Sequence, residues 1–113
     1  MIAQGEVWWA DLGEPLRSEP GFRRPIVIVQ GDAFNRSRIA TVVCVALTSN
    51  LRWAEAPGNV LLTARVTGLR KDSVANVSQL VTLDRVALTE RVGALPAKKL
   101  ELVLLGIDIV LDR

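Results

Sequence analysis

Two adjacent arginines, Arg23 and Arg24, stand directly before Pro25 and the apolar run "IVIV". A buried strand needs no cation at its start, and a solvated loop needs no pair of guanidiniums. The planar guanidinium carries a fork of N–H donors that matches the oxygens of a carboxylate or a phosphate. The pair is therefore either the charged edge of a soluble loop or a binding site for an anion. Glu19, in the preceding loop, belongs to the same candidate set.

A second polar group follows the apolar run "TVVCVAL", where Thr48, Ser49 and Asn50 stand in a row. Their hydroxyl and amide groups could bind a phosphate, but the same residues also form ordinary turns after strands. Arg52 and Trp53 come next, and an arginine beside an exposed indole suits stacking on a nucleobase. Trp53 could equally be a hydrophobic plug.

A third candidate lies within "SVANVSQLVTL", where Asn76 and Ser78 alternate with Val77 and precede Gln79. This alternation is also what the solvated face of an antiparallel strand looks like. We therefore retain Gln79 as a possible base-reading residue and leave the structural interpretation open.

Composition limits the available chemistry. The 113 residues contain no His and one Cys, Cys44, in an apolar run. These counts exclude Ser-His-Asp and Cys-His catalysis, the usual zinc sites and the His pair that commonly cleaves RNA. Catalysis would have to use Arg, Lys, Asp, Glu, Ser or Thr. Eleven of the 14 cationic residues are Arg, which favours anionic partners or reflects a GC-rich genome.

We expect one domain, residues 1–113, in the cytoplasm. No basic segment followed by an apolar core opens the chain, and no apolar run approaches about 18 residues, so no membrane association is expected. The predicted strands are 6–12, 26–30, 41–48, 60–63, 73–83 and 91–95, with a turn or short helix at 31–37 and a polar loop at 49–59. Trp8 and Trp9 must then point to opposite faces of the first strand.

The C-terminal segment after Pro96 has helical spacing and two apolar stripes. One stripe contains Leu100 and Val103, and the second contains Leu102, Leu105 and Ile109, among others. One stripe suffices to pack a helix on a sheet, so two predict a helix covered by both the barrel and a partner. The sequence thus predicts a mainly β protein, a small bent β-barrel with a C-terminal helix, that forms a homodimer.

The order of five segments resembles a known family. They are "GEVWWADL" at 5–12, "SE" before "RRPIVIVQ", "TVVCVALTSN", "DSV…SQLVTLD" and "RV…LTERVGALP". Together they resemble the PemK/MazF toxins of toxin–antitoxin systems over essentially the whole chain. The Gly-Glu-hydrophobic-Trp opening and the Arg-Pro before a Val/Ile strand are the most specific parts.

The resemblance implies an SH3-like barrel of the PemK/MazF/CcdB type and a homodimeric, sequence-specific endoribonuclease. Such enzymes cleave single-stranded RNA without a metal or other cofactor. The ribose 2′-OH attacks the adjacent phosphate and leaves 2′,3′-cyclic phosphate and 5′-OH ends. Cleavage of mRNA, or of tRNA or rRNA, would inhibit translation and growth until a small antitoxin with an acidic tail binds the toxin.

The resemblance also implies residue roles. The family's catalytic Arg, Thr and loop Glu fall on Arg24, Thr48 and Glu19. Arg24 and Thr48 suit hydrogen bonding to phosphate oxygens, whereas Glu19 is either the general base or a partner that orients Arg24. The expected RNA-binding residues are Arg23, Ser49, Asn50, Arg52, Trp53 and Gln79.

Two positions depart from the family pattern: Val81 replaces a frequent basic residue, and Pro20 replaces a frequent Gln. Both put the cleavage sequence in doubt more than the activity. Two other functions stay open, a non-catalytic SH3-like binding module and a gyrase-directed toxin of related fold. Retention of both Arg24 and Thr48 favours the nuclease.

Overall fold

The computed structural model describes residues 1–13 and 22–113. Residues 14–21, including Glu19 and Pro20, lie outside the described residues. The elements within the described ranges are β1 (Glu6–Asp11), β2 (Arg23–Ile28), α1 (Asp32–Asn35), β3 (Thr41–Thr48), β4 (Val60–Leu62), α2 (Ala64–Thr67), β5 (Ser73–Asp84), β6 (Leu88–Ala94) and α3 (Ala97–Val110), with 3-10 turns at Leu51–Glu55 and Arg85–Ala87.

The six strands form one curled antiparallel sheet in the order β4-β5-β3-β2-β1-β6. The curled sheet is a half-barrel and carries the C-terminal helix, which confirms the predicted fold class. The predicted strands at 41–48 and 73–83 match β3 and β5 closely, and the short helix expected within 31–37 is α1. The predicted loop at 49–59 contains a 3-10 turn, and α2 was not predicted.

Apolar side chains pack on both faces of the sheet. In the described residues the larger cluster lies between the sheet and α3 and contains Val27, Leu47, Val77 and Val103, each at most 1 % exposed. The other face carries Ala10, Ile26, Ile28, Val42 and Cys44, with Trp8 packed against them. Since strand side chains alternate in direction, residues that are adjacent in β2 serve different faces.

β2 begins earlier than predicted: it starts at Arg23, so both arginines and Pro25 belong to the strand. The N–H of Val29 points toward β3, where it donates to Val43, and backbone groups alternate sides along a strand. The nitrogen of Pro25 therefore faces β3 but carries no hydrogen. The β2–β3 pairing covers only Ile26–Ile28, because Pro25 cannot supply the next bond.

α3 packs through one of its two apolar stripes. Val103 is fully buried, and Leu100, Leu104 and Ile107 pack against the larger cluster. In the second stripe Leu102, Leu105 and Ile109 are 46 %, 50 % and 59 % exposed. The helix therefore has the two-sided character that its sequence predicted, with one side on the sheet and the other open.

Gly106 brings α3 against the segment after the Leu51–Glu55 turn. A Cβ at position 106 would overlap the carbonyl oxygen of Gly58 and lie 3.1 Å from Cγ1 of Val77. Gly58 has a φ of +79°, a conformation that favours glycine. Close backbone contact thus explains a glycine that weakens the helix by about 1 kcal/mol relative to Ala.

We predict that Gly106→Ala lowers the free energy of unfolding by about 1–3 kcal/mol, because the overlap with Gly58 outweighs the gain in helix propensity. Urea unfolding at fixed protein concentration measures the change. Glu101→Ala, on the exposed side of the same helix, is the control and should alter stability little. A Gly106→Ala protein as stable as the parent would contradict the close contact.

Glu6 anchors β1 to β6. Its carboxylate accepts hydrogen bonds from the Arg91 Nε at 2.8 Å, the Trp8 Nε1 at 3.0 Å and the Ala3 N at 3.0 Å. Burial by itself would raise the pKa of Glu6, but these hydrogen bonds outweigh burial and lower it below the ordinary 4.5. The folded state therefore binds the proton less readily than the unfolded chain does.

This lowered pKa predicts a stabilising contribution that is complete above about pH 4.5 and is lost as the pH falls through the lower folded pKa. Glu6→Gln should reduce the free energy of unfolding by about 1 kcal/mol at neutral pH, a modest value because Arg91 is half exposed. Urea unfolding of both proteins at pH 7 and at about pH 3 tests this, and the difference should shrink in acid. An equal difference at both pH values would refute it.

Candidate nuclease groove

A groove of about 730 Å³ opens where β2 begins and β3 ends. We call it the basic groove. Its walls come from β1, β2, the end of β3, the α2–β5 connection and β6, and its lining residues are Trp9, Phe22, Arg23, Arg24, Pro25, Leu47, Ser49, Gly68, Leu69, Arg70, Lys71, Ser73, Glu90 and Val92. Segments far apart in the chain thus build one cavity.

The charges of the groove are predominantly positive. Arg23, Arg24, Arg70 and Lys71 line it, and Glu90 is the one carboxylate among the described lining residues. Cations that share a cleft focus a positive potential and raise the local concentration of an anionic ligand. The groove therefore has the electrostatics of a phosphate-binding surface.

Arg24 lies opposite the end of β3. The paired residues Ile26 and Ala46 fix the register of β2 and β3. Arg24 and Thr48 each stand two residues beyond this pair, outside the paired residues of the two strands. Arg24 is partly buried, and its backbone pairs with Ala10 of β1. Arg24 lines the basic groove and Thr48 does not, so a joint phosphate site made by the two residues stays a prediction.

Thr48 keeps a usable hydroxyl. Its Oγ1 accepts a hydrogen bond from the Asn50 N at 3.2 Å, and a hydroxyl that accepts one bond still has a proton to donate. Asn50 in turn accepts from the Arg52 N at 3.2 Å and caps the following 3-10 turn. The amide of Asn50 thus has a structural role, while Ser49 lines the groove.

Arg23 is held on the groove wall by two contacts. Its guanidinium carbon lies 4.4 Å from the centre of the Trp9 ring, and its Nη2 lies 3.2 Å from Oε1 of Glu90. Trp8, on the opposite face, packs against the second apolar cluster. The prediction that the two tryptophans point to opposite faces is confirmed.

Four predicted RNA-binding residues are not among the residues that line the basic groove, and one of them is Asn50, whose side chain caps the 3-10 turn. Arg52 and Trp53 are exposed on the Leu51–Glu55 turn, and Trp53 is 50 % exposed. Gln79 lies in β5. None of the four is among the groove-lining residues, whereas Arg23, Ser49 and Arg24 are. Glu19 lies outside the described residues.

The polar residues before Gln79 have structural contacts. The β3–β5 register shifts between Val45 and Leu47, so β5 bends in this region. At the bend the Asn76 Oδ1 accepts from the Asn59 Nδ2 at 3.3 Å and the Ser78 Oγ at 3.1 Å. The Ser78 bond lies within β5, whereas Asn59 connects β5 to the 3-10 turn because its Nδ2 also donates to the Trp53 O at 2.9 Å.

Sequence reasoning missed Arg70, Lys71, Ser73 and Glu90 as groove residues. Arg70 and Lys71 stand together in "LRKDSV", and a basic doublet before a strand was a signal that could have been used. Glu90 had no such signal, because only the pairing of β6 with β1 brings it opposite Trp9. Phe22 lay within the predicted loop and has a φ of +58°, unusual for a bulky residue, while its side chain is 64 % exposed.

Other chemistries find little support in the described part of the chain. Burial raises the pKa of the Cys44 thiol to about 12, so this cysteine is a poor nucleophile. Residues 1–13 and 22–113 contain no group of three or more metal-ligating side chains. No described helix is long and apolar enough to cross a membrane.

Known proteins are similar to this chain in sequence. A chain from Mycobacterium tuberculosis (strain ATCC 25618 / H37Rv), endoribonuclease MazF6, is 47% identical over 112 residues, 99% of this chain and 98% of the relative. Endoribonuclease EndoA of Bacillus subtilis (strain 168) is 31% identical over 91% of this chain and 88% of its own length.

Solved structures agree in fold. MazF from Deinococcus radiodurans superposes with a TM-score of 0.82 at 22% identity, covering 99% of this chain and 97% of that one. An endoribonuclease in complex with its cognate antitoxin, from Mycobacterial species, superposes with a TM-score of 0.80 at 24% identity, and the match covers 99% of this chain and 96% of that one. A family model for the PemK-like, MazF-like toxins of type II toxin–antitoxin systems matches residues 3–111, and the chain belongs to that family.

Proposed function

We propose that residues 1–113 form one toxin domain that cleaves single-stranded RNA at specific sequences. The observation that carries this proposal is the basic groove, which is lined by Arg24 at the start of β2 and by Leu47 and Ser49 at the end of β3. The 47% identity to an endoribonuclease over nearly the whole chain supports the same activity.

The proposed reaction is attack of a ribose 2′-OH on the adjacent phosphate. The phosphorus–O5′ bond breaks, and the products carry a 2′,3′-cyclic phosphate and a 5′-OH. Negative charge builds on the non-bridging phosphate oxygens in the transition state. The fork of Arg24 donors can bind two of these oxygens, and the Thr48 hydroxyl can donate to one, so both stabilise that charge.

Proton transfer needs a different group. A guanidinium keeps its proton at ordinary pH, so Arg24 suits charge stabilisation and not general base catalysis. Glu19 remains our proposal for the base that takes the 2′-OH proton, or for a carboxylate that orients Arg24. The described residues of the groove offer one carboxylate, Glu90, which is already paired with Arg23.

The proposed partners follow from the same surfaces. A small antitoxin with an acidic tail would neutralise the cations of the basic groove and exclude RNA from it. The open stripe of α3, including Leu102 and Leu105, suits a second copy of this chain in a homodimer. We place the protein in the cytoplasm, where its RNA substrates are.

We predict that Arg24→Ala lowers the cleavage rate at least about 100-fold, because an ionic phosphate contact is lost in the transition state. Thr48→Ala should lower it about 10-fold or more, since a neutral donor contributes less, and Thr48→Ser should restore much of the rate. A fluorescent single-stranded RNA in EDTA-containing buffer measures cleavage, and analysis of the product ends checks for cyclic phosphate.

Arg38→Ala, an exposed arginine on the loop before β3, serves as the charge-matched control and should cut normally. If the parent protein leaves every RNA intact but binds it, the chain is a binding module. If the parent cuts RNA and both groove variants cut at the parental rate, the proposed site is wrong.

The basic doublet Arg70-Lys71 should contact RNA phosphates. We predict that replacing both by Ala reduces the slope of log affinity against log salt by about 1.4, or about 0.7 for each lost contact with a single strand. Binding to a 2′-O-methyl RNA, which has no attacking 2′-OH, measures the slope without cleavage. The control replaces Lys98 and Lys99 on α3 by Ala, and it should leave the salt slope unchanged. If the salt slope is also unchanged when Arg70 and Lys71 are replaced, these two residues do not contact the RNA phosphates.

A further inference from the structure

Glu90 places a negative charge in a groove that is otherwise lined by cations. Its carboxylate repels the phosphates that the neighbouring cations attract, yet its side chain is 66% exposed within the lining of the basic groove. A carboxylate that only balanced the charge of Arg23 would weaken RNA binding. We therefore consider what else the Glu90 carboxylate could bind when RNA occupies the groove.

The sheet register places Glu90 in a fixed relation to Trp9 and Arg23. Trp9 in β1 lies opposite Glu90 of β6 on one side and opposite Pro25 of β2 on the other. Residues that lie opposite each other in neighbouring strands point to the same side, so these three side chains share one face of the sheet. Arg23 is two residues before Pro25 and therefore lies on that same face. From there it covers the Trp9 ring at 4.4 Å and reaches Oε1 of Glu90 at 3.2 Å.

The resulting three-residue platform has the parts of a base-binding site. The lower face of the guanidinium packs on the indole, which fixes its plane. The Arg23 side chain is 52% exposed, and guanidinium planes are surfaces on which the bases of single-stranded RNA stack. Glu90 stands at the rim of the platform, and a carboxylate with two oxygens can accept several hydrogen bonds.

We propose that Trp9, Arg23 and Glu90 read a guanine of the bound RNA, with Glu90 as the specificity-determining residue. This inference rests on the proposed RNA cleavage. The guanine stacks on Arg23, and its N1–H and N2–H₂ groups donate to the carboxylate of Glu90. Guanine is the base with two adjacent N–H donors on its Watson–Crick edge. Cytosine, adenine and uracil each place an acceptor there, which a carboxylate repels.

The experiment begins by mapping the parent enzyme's cut sites in a randomised RNA pool. The selected guanine is then replaced by inosine, which lacks only the 2-amino group. The parent should prefer guanosine over inosine about 10-fold or more, the value of one hydrogen bond to a charged group. Glu90→Gln should bring this ratio close to one, because the amide offers one neutral acceptor and one repelling donor.

The same guanosine-to-inosine ratio is measured for binding to 2′-O-methyl RNA carrying the mapped site, so the result does not depend on residual cleavage. Glu101→Gln, an exposed glutamate on α3, is the charge-matched control and should keep the parental ratio. Arg23→Lys retains the charge but not the planar face, and it should weaken binding of the guanosine RNA more than Arg38→Lys does.

Two results would overturn the proposal. The mapped sites could contain no selected guanine, or Glu90→Gln could slow guanosine and inosine substrates equally and leave their ratio unchanged. The latter is the result expected if Glu90 only holds Arg23 in place. Failure of the proposed function looks different, because the parent protein would then cut none of the RNA pool.

Discussion

β2 is hydrogen-bonded between β1 and β3, and this antiparallel ladder sets the directions of the side chains around the basic groove. Adjacent residues in a strand point to opposite faces, so the side chains of Arg23 and Arg24 leave β2 in opposite directions although both residues line the groove. The register directs Arg23 to the face of Trp9 and Glu90, and Arg24 to the opposite face. One backbone ladder thereby separates the two guanidiniums, to which we assign a base contact and a phosphate contact in our proposals.

The local elements could be predicted from the sequence because their signals are local. Alternating or continuous apolar runs located the strands, most closely at Thr41–Thr48, and helical spacing located α3. The start of β2 was misplaced because Pro25 was interpreted as the first strand residue. Its nitrogen faces β3 and ends the β2–β3 pairing there, but β1 still pairs with Pro25, Arg24 and Arg23, so the strand begins before the proline.

The candidate site was only partly predictable for the same physical reason. Arg24 and Thr48 were marked by their residue types and by family resemblance, and their roles remain predictions. Glu90 and the Arg70-Lys71 doublet join the groove through pairings and connections between segments distant in sequence. No short sequence pattern shows that these segments lie together in the fold. From the sequence alone, Glu90, Arg70 and Lys71 are therefore indistinguishable from ordinary surface charges.

Pro25 also has a consequence for how the groove meets its ligand. Proline has no backbone N–H because its ring is bonded to the nitrogen. The hydrogen bonding between β2 and β3 therefore cannot extend past Ile26 at any temperature or salt concentration. The mouth of the groove is therefore held apart in the free protein, and an arriving chain does not have to break backbone pairing to enter. Such preorganisation lowers the free-energy cost of association without adding a single contact.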